Sequence, residues 1–247
     1  MAVNYKFTLE YHGADFHGWQ CQQGVQTVQG VLEKALEAVT QEKCTVFGAG
    51  RTDRGVHALG QVAHVLLPTS FCLDRLRRGT NFYLKEHRVR VVSVQQVTGD
   101  FHARFSAVRR CYRYRVLVRP SVSPLCQDQV WWVPRPLDLQ AMQQAATFFE
   151  GTHDFSAFRG RFCQAKSPLK TLEACEVQAC GDEVHVVVRA RSFLHHQVRI
   201  MVGTLVEVGR GDRLPTFVQT LLQQKKRGTA GVTAPAQGLC LEAVCYD

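Results

Sequence analysis

No stretch of the 247-residue chain approaches the roughly 20 consecutive apolar residues that a helix needs to cross a bilayer, which excludes a helical membrane protein. Acidic residues are the scarce charged class, 21 against 30 Lys and Arg, for a net charge of +9. The ten cysteines contain no CxxC pair. Cys175 and Cys180 are separated by four residues, as are Cys240 and Cys245, and neither pair has histidines at zinc-finger spacing. Reduced thiols serving as small core residues are therefore expected. HExxH is missing, as is the Gly-Lys-Ser/Thr ending of a P-loop. Apolar–polar alternation starts at Val3, so a leader peptide is not expected. The expected location is thus where the chain is made, the cytoplasm, with no membrane partner.

The excess positive charge points to a polyanion, and arginine outnumbers lysine, which favours phosphate because a planar guanidinium forks onto it. Val3 to Tyr11 reads as a strand. A helix follows, capped by Thr27, with Val28, Val31, Leu32, Ala35, Leu36 and Val39 on one face. Short β-prone residues from Cys44 to Phe47 lead into a glycine loop, then a strand from Val62 to Leu66 and, after a basic stretch, another from Arg88 to Val94. The pattern breaks around residues 100–107. Beyond it, "RRCYRYRVLV" alternates Tyr112, Tyr114, Val116 and Val118 against arginines, a strand with one basic face. A helix capped by Asp138, the strand "EVHVVVRAR", a helix from Leu194 to Leu205, a short helix near Phe217 to Leu222 and a β-like tail complete the pass. The reading is an α/β (α+β) protein of two similar halves, residues 1–104 and 105–247, whose mainly antiparallel sheets join and leave a basic cleft.

The chemistry concentrates in "GAGRTDRGVHALGQ", Gly48 to Gln61. Gly48, Gly50 and Gly55 surround a lone carboxylate, Asp53, which Arg51 and Arg54 flank. Such a loop can present one side chain at a fixed angle. Neighbouring guanidinium groups favour the ionised carboxylate, which can act as nucleophile or base. An aspartate bracing a turn has the same local signature. A metal centre built on Asp53 and His57 is not expected, since a nuclease-type site would need several carboxylates.

"GAGRTDRGVHALGQVAH" closely resembles the signature loop of the TruA family of tRNA pseudouridine synthases, and the likeness continues along the chain. "YHGADFHGWQ", "FHARFSAVRRCYRYRV", "GTHDFSAFRG" with "SPLKTL", "FLHHQVRIMVGTLVEVG" and "APAQGLCLEAV" resemble further family blocks in order. The resemblance implies Asp53 as the catalytic aspartate and Arg51 as the arginine that takes the place of the flipped base. It further implies Tyr112 stacking on the target base, Arg199 pairing with the aspartate, and Leu239 lining the pocket. On their own residue types, Tyr112 and Leu239 read as core and Arg199 as surface. The resemblance also implies a homodimer acting on uridines 38, 39 and 40 of the tRNA anticodon stem-loop, without metal or cofactor. Arg104, Arg109, Arg110, Arg113, Lys225, Lys226 and Arg227, with Arg115, are candidates for phosphate contact. The rival reading is a tRNA-binding or folding module without catalysis, in which Asp53 is dispensable. Two departures stand out: Lys170 where the family often has arginine, and Arg54 where relatives often have alanine.

Overall fold

A computed structural model describes residues 2–246. The chain divides into two compact units, Met1–Val108 with Leu241–Asp247, and Arg109–Cys240.

The first unit contains β1 (Val3–Tyr11), α1 (Val28–Thr40), β2 (Phe47–Gly48), β3 (His57–Leu67), α2 (Leu73–Tyr83) and β4 (Val89–Val97). β1 pairs antiparallel with both β3 and β4, and β2 adds to β3. On β1 the odd residues Tyr5, Phe7 and Leu9 are buried, while Lys6, Thr8 and Glu10 reach toward solvent. This alternation is what a strand buried on one face requires. Leu32 and Leu36 of α1 and Leu76 of α2 join the same core. The start of α1 is closed as its sequence suggests: the Thr27 side chain accepts the Gly30 amide.

The second unit contains β5 (Arg109–Val118), β6 (Trp131–Val133), α3 (Leu139–Thr147), β7 (Gly151–Asp154), β8 (Leu169–Cys180), β9 (Glu183–Ala190), α4 (Gln197–Gly209) and α5 (Phe217–Gln224). Its strands pair in the order β5-β9-β8-β7, all antiparallel, with β6 parallel to β5. The core is formed by Tyr114, Val116, Val186, Val188, Met142, Phe149, Met201, Val202 and Leu205. The Asp138 side chain caps α3 by accepting the Ala141 amide. A last strand, β10 (Leu239–Cys245), starts here and runs into the first unit, where it lies beside β3.

The fold is thus mixed α/β with mainly antiparallel pairing, as expected, but several elements differ from the sequence reading. The basic stretch before β4 is a helix, α2. Its signal is weak because only Leu76 and Thr80 are buried and its ends lack side-chain caps; Asp74 pairs with Arg77 and Arg78 along its surface. β8 escapes the alternation test because its register shifts between Leu172 and Ala174, which moves the buried set from Leu172 to Cys175 and Val177. β3 starts at His57, five residues before the expected Val62, where Gly60 interrupts the apolar pattern. β6 and β7 are too short to show a period. The cysteines are free thiols, but only Cys175 is a buried core residue; Cys21, Cys72 and Cys180 are exposed.

Replacing Thr27 with alanine is expected to cost about 1 kcal/mol and Thr27→Ser a few tenths. Urea unfolding of the two variants checks this, and equal losses from both would mean that the hydroxyl does not cap α1.

Candidate active site

The loop from Gly48 to Val56 joins β2 to β3 in the first unit. Two of its glycines are demanded by geometry. Gly55 has φ +82°, the left-handed region, and follows Asp53 in a turn closed by the Val56 amide on the Asp53 carbonyl, 3.1 Å. At Gly48, a methyl group would stand 2.5 Å from the ring of the buried Trp19.

The backbone of this loop is pinned at successive residues. The Gly50 carbonyl accepts the Gln61 side-chain amide at 2.9 Å. The Thr52 carbonyl accepts the Trp19 amide at 3.0 Å, and the Thr52 hydroxyl lies 2.8 Å from the Tyr11 hydroxyl. Gln61 also donates to the Tyr11 oxygen, 3.3 Å. Along this stretch Arg51 is exposed and Asp53 half-buried, while Thr52 is buried. The Arg51 Nε donates to Gln20, 3.0 Å, which itself donates to Gln29 of α1, 2.8 Å. Arg54 is exposed in the turn. His57 is buried, and its Nδ1 accepts the Gly13 amide at 3.0 Å, which makes it a brace between β3 and the segment after β1.

In the second unit, Tyr112 is half-buried on β5 and meets the Phe193 ring edge-on at 5.3 Å. Arg199, on α4, is half-buried; its Nε donates to the Ala234 carbonyl at 2.8 Å, and its own carbonyl accepts the Ala234 amide at 3.1 Å. Tyr114 lies near this guanidinium and donates to the Pro235 carbonyl at 2.6 Å; burial pushes its phenol far above the ordinary range. Leu239 is buried at the start of β10. Tyr112, Arg199 and Leu239 therefore sit on regular elements, as Asp53 and Arg51 sit on a pinned loop.

The basic residues divide sharply. Arg115 makes a two-pronged pair with Glu183, at 2.8 and 2.7 Å. Arg109 is ion-paired with Glu173, and Arg110 is buried and donates to the Arg191 carbonyl. Arg113 is half-buried on β5 opposite Val187. Arg104 is exposed and stacks over Phe105, 5.6 Å. Lys225, Lys226 and Arg227 are exposed at the end of α5. Sequence reasoning ranked these cations together; the carboxylates that occupy Arg109 and Arg115 lie tens of residues away in the chain.

Sequence reasoning also missed Tyr11, Thr52 and Gln61. The available signal was Gln61 itself, a polar residue opening an apolar strand run, "QVAHVLL".

The segment carrying Arg104 is held by two imidazoles acting as acceptors: His64 Nδ1 takes the Ala103 amide and His102 Nδ1 the Arg104 amide, both at 3.1 Å. Their rings are 4.5 Å apart. Burial lowers His64 from its ordinary 6.5, with His102 adding to the effect. Burial lowers His102 from 6.5 as well, with Arg104 adding to it. Protonation therefore favours the unfolded chain, and the stabilisation from neutral rings is present above pH 6.5 and lost as pH falls through the lowered folded values. Ring titration by NMR is expected to place both histidines below 6.5. A value above 6.5 for either would contradict the acceptor roles.

A family model described as tRNA pseudouridine synthase matches residues 9–106 and 145–247. The chain is 50% identical over 243 residues to tRNA pseudouridine synthase A of Paramagnetospirillum magneticum, covering 98% of this chain and 95% of that protein. It is 49% identical over 242 residues to the protein of the same name from Rhodopseudomonas palustris strain HaA2, covering 98% and 99%. The Rhodospirillum centenum protein of that name is 50% identical over 242 residues, with the same coverage. With a family match on both sides of the break between the units, and these relatives matched end to end, the chain belongs to the tRNA pseudouridine synthase family.

Proposed function

We propose that the chain converts uridine to pseudouridine in tRNA, at positions 38, 39 and 40 of the anticodon arm, with Asp53 as the essential carboxylate. The observation that carries the assignment of Asp53 is the loop itself. Gly50 and Thr52, on either side of Arg51 and leading into Asp53, are bonded to Gln61, Tyr11 and Trp19, while Arg51 is exposed and Asp53 half-buried. A turn-bracing aspartate would not need so many outside fixings, nor an exposed arginine two residues before it.

The reaction requires little else. The N1–C1′ bond breaks, the uracil turns, a C5–C1′ bond forms, the C5 proton leaves and N1 gains one. Atoms and charge balance without oxidant, energy source or metal, so one nucleophilic or acid–base carboxylate is sufficient. The target base must leave its stack to be reached, and Arg51 is suited to fill the gap because a guanidinium stacks and donates in one plane. Tyr112 is proposed as the aromatic platform for the flipped base, where stacking contributes roughly 1–3 kcal/mol. Arg199 is proposed to pair with Asp53, and Leu239 to line an apolar pocket that keeps the detached uracil from diffusing away. These three roles, like a homodimeric state, rest on the family resemblance.

For the phosphate backbone, Arg104 and Lys225 to Arg227 are the favoured contacts, because their charges are exposed. Arg109, Arg110 and Arg115 already serve carboxylates or a backbone carbonyl. Arg113 stays a candidate on the same strand. Recognition through backbone and shape suits an enzyme that acts on several adjacent uridines. Among the described residues no helix is long and apolar enough to cross a membrane.

The test is to incubate unmodified tRNA transcripts with the wild type, Asp53→Ala and Asp53→Asn, and to map pseudouridine by chemical modification and primer extension. Wild type is expected to mark the anticodon arm, and both variants to lose about 1,000-fold or more in rate while still binding tRNA. Equal tRNA binding with no product from any of the three would favour the non-catalytic binding module. Replacing Lys225, Lys226 and Arg227 together with alanine is expected to weaken tRNA binding and to make the salt dependence of log Kd shallower by about 2 to 3 units of slope. An unchanged slope would remove this segment from the RNA-binding surface.

A further inference from the structure

We infer that Tyr11 and Gln61 are positioning residues for catalysis, acting through Thr52 to hold the backbone that presents Arg51 and Asp53. The role extends the assignment of Asp53 as the catalytic carboxylate and rests on it.

The geometry fixes the orientation of the Gln61 amide. Gln61 is fully buried at 0% exposure, so every polar atom of its amide needs a partner. The Gly50 carbonyl can only accept and the Val62 amide can only donate, so Nε2 faces Gly50 at 2.9 Å and Oε1 faces Val62 at 3.2 Å. With the amide set this way, its second N–H points to the Tyr11 oxygen, 3.3 Å. Tyr11 accepts there, and its hydroxyl lies 2.8 Å from Thr52 Oγ1, where either hydroxyl can donate. Tyr11 is 5% exposed and Thr52 6%, so water does not compete for these bonds. The chain of hydrogen bonds therefore runs from β3, through the end of β1, to the residue immediately before Asp53.

This arrangement differs from ordinary core packing in what it touches. Gln61 and Tyr11 grip Gly50 and Thr52, on either side of Arg51. The Trp19 amide holds the Thr52 carbonyl at 3.0 Å, so Thr52 is fixed at both its backbone and its hydroxyl. With the hydroxyl bond removed, Thr52 keeps one anchor and the peptide leading into Asp53 gains freedom to rotate. Displacements on the order of 1 Å at a reacting group can cost about 100-fold in rate.

The test uses the full chain and tRNA carrying the target uridines, with single-turnover rate, tRNA Kd and Tm measured for each variant. Tyr11→Phe removes the hydroxyl and keeps the ring beside Trp19, 6.4 Å away. It is expected to slow the single-turnover step by roughly 10- to 100-fold while Kd stays within about twofold, since substrate binding does not depend on the loop's last fraction of an ångström. Thr52→Val is expected to match it, and Thr52→Ser, which keeps the hydroxyl, to restore most of the rate. A Tyr11→Phe rate within twofold of wild type overturns the role. So does a Thr52→Ser variant as slow as Thr52→Val, or a loss confined to Kd. If a variant's Tm drops, rates are compared well below the lower Tm, and a difference that disappears there assigns the residues to stability alone and overturns the role as well. Wild type inactive on every transcript would overturn the function itself, whereas active wild type with unaffected variants overturns only the positioning role.

Discussion

The buried amide of Gln61, bonded to the carbonyl of Gly50, is the constraint on which the geometry of the first unit turns. A fully buried amide with an unmet donor costs about 1–3 kcal/mol, so the loop is held to the strand as firmly as the strand is held in the core. β3 is in turn fixed by antiparallel pairing with β1, and the same β1 ends in Tyr11, the next member of the chain. A flexible-looking, glycine-rich segment thereby inherits the rigidity of a sheet. The side chains the proposed chemistry would use, exposed Arg51 and half-buried Asp53, are thus carried on a backbone supported from the interior.

The second unit handles charge by a different rule. Its sheet pairs several arginines with carboxylates: Arg115 with Glu183 and Arg189 with Glu176 link neighbouring strands, and Arg109 with Glu173 reaches from β5 to β8 across β9. The side-chain bond to Arg115 also holds the Glu183 carboxyl below the usual range, although burial works against it. Other cations stay exposed, and Lys225 to Arg227 after α5 are three of them in a row.

Much of this was legible beforehand, and the exceptions have physical causes. Thr27 and Asp138 announced their helices because a cap is a local feature. β1 and β5 announced themselves by strict alternation. α2 did not, since a surface helix with a single buried leucine leaves almost no apolar stripe. β8 did not, since a register shift breaks the period of two on which strand reading depends. In the candidate site, the loop around Asp53 stood out because its residue types are unusual together. Gln61 and Tyr11 stayed hidden because their importance lies in whom they bond to, 11 and 41 residues away in the chain, and spacing carries no trace of that. The return of the C-terminal strand to the first unit was hidden for the same reason.

The account stands or falls on whether this chain exchanges the C5–H bond of uridine for a C5–C1′ bond unaided. The direct measurement is tritium release from tRNA transcripts labelled at C5 of uridine, incubated with the purified chain in a chelator-containing buffer. The account predicts release that rises to a whole number of tritium atoms per tRNA and then stops, as each target uridine reacts once. No release from transcripts that the protein demonstrably binds would contradict it.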